Sequence, residues 1–239
     1  MRKLELAIIA LAVCFFAIGA YFYPQMPEKV ASHWGAQGQV NGYMSRFWGV
    51  FFMPFLSVFL AALFLAIPRI DPMKANIAKF QAHYERFILV IFVFFLYIYL
   101  LTIAWNLGYT FDMLVLMVPG FALLLYYVGV LLEHAKMNWF IGIRTPWSMS
   151  SERVWDKTHA LGAKLFKICG ALSLFGIIAG GYSILFVVLP VILVSVYLFI
   201  YSYIEYKKEK NIEYKKEKSE NQIEPQLKAT PPTKPKKKK

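Results

Sequence analysis

The stretch GIRTPWSMSSERVWDKTHALG, residues 142–162, gathers Arg144, Arg153 and Lys157 beside Glu152 and Asp156, with Trp147, Trp155 and His159 between them. Of the chemistry these types allow, gripping is the best supported. An arginine offers a planar five-donor fork to a carboxylate, a phosphate or backbone carbonyls. Covalent and metal chemistry find no pattern to support them. There is no H-E-x-x-H, and no glutamate pair accompanied by a histidine-bearing helix. Cys14 and Cys169 each stand alone in apolar surroundings, where a thiolate is unfavourable. His83, His134 and His159 are not spaced as ligands of one ion. We therefore expect no catalytic residue, no metal, no cofactor and no enzyme activity.

The elements that carry this stretch are apolar runs. The chain has 239 residues, 59% of them hydrophobic and 17% charged, with mean hydropathy +0.50. Six runs approach the length of a membrane span: 4–23, 47–67, 87–107, 113–132, 165–181 and 184–203. About 20 residues at roughly 1.5 Å each match a hydrocarbon core of about 30 Å. Strand alternation is absent, so a barrel is not expected. The sequence predicts an all-α polytopic protein of the plasma membrane, with six transmembrane helices in three hairpins. None of the runs holds Asp, Glu, Lys, Arg or His near its middle, which disfavours a proton- or ion-coupled transporter.

The net charge of +12 describes topology before partners. Basic residues fall at 2–3, at Arg69, Lys74, Lys79 and Arg86, between 136 and 167, and throughout the tail, whereas the alternate segments hold only Lys29 and Arg46. By the positive-inside rule both termini, 68–86, 133–164 and 204–239 are cytoplasmic, and 24–46 is outside. The first run is expected to be an uncleaved span rather than a signal peptide. It opens a two-span unit, 1–67, followed by a loop and third span, 68–112, a second unit, 113–205, and a charged, largely disordered tail, 206–239. IEYKKEK occurs at 204–210 and again at 212–218, which reads as a frayed helical extension before a disordered polybasic end. Such a tail suits anionic inner-leaflet lipid, and no direct nucleic-acid contact is expected.

The outer loop, with Pro27, His33, Trp34, Gly38 and then Asn41-Gly42, is punctuated as turns, and a short hairpin at Asn-Gly is plausible. Pro54, Pro119 and Pro190 lie at one depth in the even-numbered spans. They could open a shared outer vestibule, or reflect only the frequency of proline in such helices. GIIAG at 176–180 has small-xxx-small spacing suited to helix packing. In the inner loop Ser148, Ser150 or Ser151 can cap a helix that carries Glu152 in its first turn and runs into span five. On that helix Trp155, His159, Gly162 and Phe166 share one face, with Arg153, Lys157, Lys164 and Lys167 opposite. Gly162 would admit a close helix crossing.

The segment NWFIGIRTPWSMSSERVWDKTHALGAKLF resembles the signature of the SdpI family, membrane proteins named for immunity to a sporulation-delaying peptide toxin. The residues that carry the resemblance are Asn138, Gly142, Arg144, Thr145, Pro146, Trp147, Trp155, His159 and Gly162, and it covers about 115–205. A second stretch, MPEKVASHWGAQGQVNGYMSR, is similar to a small uncharacterised domain often found before SdpI-type domains. It matches at Pro27, Val30, His33, Trp34, Gly38, Asn41, Gly42, Tyr43, Ser45 and Arg46. The resemblance implies a protein that protects a membrane from a depolarising peptide outside, and that can hold a cytosolic repressor at the membrane inside. Two other readings stay open: an envelope or stress-related membrane protein without a toxin ligand, and a peptide or small-molecule exporter.

Overall fold

A computed structural model describes residues 2–229. Among them, six helices are long and apolar enough to cross a membrane, as the runs predict. In chain order the elements are α1 (Arg2–Phe22), β1 (Lys29–Trp34), β2 (Val40–Ser45), α2 (Arg46–Ile70), α3 (Lys74–Lys79), α4 (Gln81–Asn106), α5 (Met113–His134), α6 (Glu152–Ser173) and α7 (Leu185–Ala229). The protein is an all-α, multi-pass membrane protein with one small hairpin.

Packing follows the small residues. α5 and α6 make the most extensive helix pair. A Cβ at Gly129 would meet the Ala163 carbonyl at 2.6 Å, and one at Gly170 would meet the Ala122 carbonyl at 2.7 Å. Backbone therefore lies on backbone at two levels of the crossing. α4 stands centrally: α1, α2 and α5 all pack on it, and Phe92 and Tyr99 are fully buried in the contact. The Tyr99 hydroxyl donates to the Val50 carbonyl at 3.0 Å, which ties α4 to α2 and satisfies a polar group within the apolar interior.

Several expectations change in detail. The hairpin does form, but it does not turn at Asn41-Gly42. Its ends close at 35–39, where the Gly35 N–H donates to the Gln39 carbonyl at 2.8 Å and Gly38 supplies a φ of +81°. Asn41 and Gly42 lie in β2, opposite His33, where the register shifts on both sides of that residue. A type I′ turn needs positive φ at both central residues, and none of the described non-glycine residues has one.

The GIIAG stretch packs on α5 through Gly176, but not as part of a continuous α-helix. α6 gives way to 3₁₀ turns at Leu174–Ile178 and Gly180–Tyr182. Gly176 packs on Val118 and the Ser183 carbonyl, while Gly180 has φ +55° and open space around it. The positive φ takes the chain off the helix path and makes this the turn between α6 and α7. α7 continues to Ala229 through both IEYKKEK copies, the helical extension of the last span expected there. Glu205, Glu209, Glu213 and Glu217 repeat at i,i+4 as a like-charge stripe, which Lys208–Glu205 at 2.7 Å and Lys210–Glu213 at 2.8 Å offset. The end of the polybasic tail, 230–239, lies outside the described residues.

Candidate functional site

The signature segment folds into a tightly bonded clamp at the end of the bundle that carries most of the basic residues. Ser151 caps α6, its hydroxyl accepting from the Val154 N–H at 3.4 Å. Of the three candidate serines this is the one used, because Ser148–Ser150 form a 3₁₀ turn. One turn into α6, Trp155 is fully buried and donates its indole N–H to the Ala135 carbonyl at 2.9 Å. His159 stacks on it with centroids 3.8 Å apart. The His159 ring is doubly engaged. Its Nε2 accepts from the Ile143 N–H at 3.0 Å, so Nδ1 carries the proton and donates to the Trp155 carbonyl at 2.9 Å. A neutral imidazole with one fixed tautomer meets both demands.

Gly142 explains its own identity. Its φ is +121°, and a Cβ there would collide with His159 Nε2 and come within 3.1 Å of the Trp155 ring. Only glycine lets the loop lie flat on the Trp–His stack. Asn138 is the hub of the preceding turn. Its Oδ1 accepts from the N–H groups of Phe140 (2.9 Å) and Ile141 (2.6 Å). Its Nδ2 donates to the carbonyls of Lys136 and Ile141, both at 2.8 Å. All four hydrogen-bonding positions of a fully buried amide are used. The Arg144 guanidinium, exposed on the other side, donates to the Trp139 carbonyl and closes the loop over this turn.

The second half of the signature binds α7. Thr145 and Ser148 hydrogen-bond each other reciprocally, and Thr145 Oγ1 donates to Ser202 Oγ of α7 at 2.9 Å. Pro146 is exposed, and Trp147 packs edge-on against Phe199 and at a tilt against Tyr203. Gly162 accepts the Ile143 side chain, which a Cβ would meet at 2.5 Å. The close approach expected there is thus with the loop rather than with another helix. The basic side of α6 is not uniformly free. Lys157 pairs with buried Glu205 of α7 at 2.5 Å and Lys167 with Glu133 of α5 at 2.5 Å, while Arg153 and Lys164 are exposed. In three dimensions Asn138, Gly142, Arg144, Trp155 and His159 form one cluster, with Thr145, Trp147 and Gly162 at its α7 side.

Two residues that sequence reasoning passed over complete the clamp. Asp71 is buried at the end of α2 and accepts from the Met73 N–H at 2.6 Å and the Trp139 N–H at 2.9 Å. Asn76 donates to the Met137 carbonyl at 2.8 Å. Together they latch the first inner loop to the signature loop. The Asp71-Pro72 pair, directly after an apolar helix, was a readable turn signal. Its partner 68 residues away was not.

The outer-loop residues form a separate group at the opposite end. His33 Nδ1 and Asn41 Oδ1 are 2.5 Å apart across the hairpin, and Gly42 makes room for His33, whose Cβ a side chain would meet at 2.9 Å. Trp34 stands edge-on to Trp105 of α4. Gly38 lies next to the Asp112 carboxylate, which itself caps α5. Pro27 is exposed at the entry to β1. The hairpin is fastened by Asn106 of α4, whose amide accepts from the Ala31 N–H at 2.7 Å and donates to the Ala31 carbonyl at 3.0 Å. Among the described residues there is no group of three His, Cys, Asp or Glu side chains placed to hold a metal ion.

Comparison with known proteins bears out the resemblance read from the signature. Residues 134–202 match the SdpI/YfhL protein family, and residues 10–58 match a domain of unknown function, DUF1648. The chain is 26% identical over 210 residues to the immunity protein SdpI of Bacillus subtilis (strain 168), a span covering 87% of this chain and 98% of that protein. No solved structure matches.

Proposed function

We propose that this chain is a plasma-membrane immunity or sensor protein, which protects the bilayer against a membrane-active peptide and can present a bound state to a cytosolic regulator. The observation that carries the reading is the extent of the likeness: nearly the whole of a protein named for immunity aligns with this chain. The geometry agrees with it. A hairpin fastened at one end supports contact with a peptide there. At the other end the bonded clamp, flanked by exposed Arg144, Arg153 and Lys164, offers a fixed basic platform to an acidic partner or to anionic lipid. No Asp, Glu, Lys, Arg or His sits in mid-span to run a transport cycle.

The test is heterologous expression followed by challenge with a panel of depolarising peptides. Cells making the chain should grow at peptide concentrations that stop the vector control. Equal sensitivity to every peptide would refute the reading. Energy-dependent efflux of a substrate from vesicles would replace it with an exporter.

A further inference from the structure

At the hairpin end lies a cavity of about 490 Å³. Residues 32–36 line one side of it, and its walls come from three helices: Met53 of α2, Ile98 of α4, and Met113, Met117 and Phe121 of α5. It exists because α2 and α5 each pack on α4 rather than on one another. The hairpin is pinned near its base. Val30 lies so close over Gly49 that a Cβ there would overlap it, and Asn106 holds Ala31 from α4. The far part of the hairpin then extends toward α5, where Gly38 meets Asp112. Phe121 is eight residues into α5, so the cavity reaches about 12 Å below the helix start at roughly 1.5 Å per residue. None of Pro54, Pro119 and Pro190 lines it.

We propose that this cavity is the seat for an apolar segment of a membrane-active peptide; the proposal rests on the function argued above. Two features select a peptide over a lipid chain. Met44, Met53, Met113 and Met117, four of the chain's nine methionines, line one space. Flexible, polarisable thioethers fit apolar side chains of varied shape. Trp34 also lines it, and its indole N–H is buried without an acceptor among the described residues. An unmet buried donor is costly, and a peptide carbonyl answers it where a saturated acyl chain cannot.

The experiment places a benzoylphenylalanine photo-crosslinker at Met117 of the full chain, reconstituted in phosphatidylethanolamine/phosphatidylglycerol vesicles. The control position is Ile178, which is 85% exposed at the same end of the bundle. The probes are cationic amphipathic peptides that depolarise protein-free vesicles of the same lipid. Peptide adducts at 117 should exceed those at 178 by about tenfold. They should fall by a similar factor with Trp34→Phe, which keeps the ring and removes the donor, and with Met53→Trp, which fills the space. Phospholipid adducts alone at 117, or equal peptide adducts at both positions, would overturn the proposal. Adducts at 117 without protection of cells would leave the seat standing and remove the immunity reading. Protection without enrichment at 117 would do the reverse.

Discussion

At the scale of the residue, the signature is a set of mutual fits, and each predicts its own failure. Gly142→Ala introduces a Cβ into His159 at a φ of +121°, so both strain and collision act against it. We expect a loss of about 1–3 kcal/mol, as for other residues forced into sparsely populated backbone regions. Chemical unfolding in detergent, read by tryptophan fluorescence, would measure it; an unchanged midpoint would contradict the packing described. His159→Phe keeps a ring against Trp155 but strips the acceptor from the Ile143 N–H. It should cost about 1–3 kcal/mol on the same assay if that donor is left unmet. Arg144 tests function rather than stability. Because its contact is with the Trp139 carbonyl, Arg144→Lys keeps the charge but loses the planar fork. Protection should fall for Arg144→Lys and stay unchanged for Arg153→Lys at matched protein levels. Equal protection by Arg144→Lys, Arg144→Ala and the native chain would reduce the residue to an interfacial anchor.

At the scale of the element, the two latches decide whether the halves of the chain act as one body. Asn106→Ala removes both bonds to Ala31 and should free the hairpin while leaving the helices in place. The expected result is faster amide exchange confined to residues 29–45, and unchanged exchange there would show that Gly49 packing alone suffices. The sequence made the helices legible because an apolar run near span length has one reading in a bilayer. It made the Trp155–His159 face legible because i, i+4 spacing needs no distant partner. What it left unread depends on distance along the chain: Asp71 on Trp139, Thr145 on Ser202, and Lys157 on Glu205. The hairpin turns a few residues before Asn-Gly, because Gly38 outcompetes that strong local signal once two register shifts are allowed.

At the scale of the whole molecule, we propose from the segregation of basic residues that the clamp faces the cytoplasm and the hairpin the outside. Single cysteines at Ser32 and Ser150, in a background lacking Cys14 and Cys169, should be labelled by an impermeant maleimide from outside and inside respectively. Labelling of Ser150→Cys from outside would reverse the orientation and with it the roles of the two ends. The central claim is that the chain itself shields a bilayer from a depolarising peptide, and one measurement addresses it without the complications of a living cell. Purified protein is reconstituted in vesicles holding a potassium diffusion potential, and peptide is added to the hairpin side. Vesicles containing the chain should keep their potential at a peptide concentration that collapses it in protein-free vesicles, and should lose that protection with Met53→Trp. Equal collapse with and without the protein, across the whole peptide panel, would contradict the account.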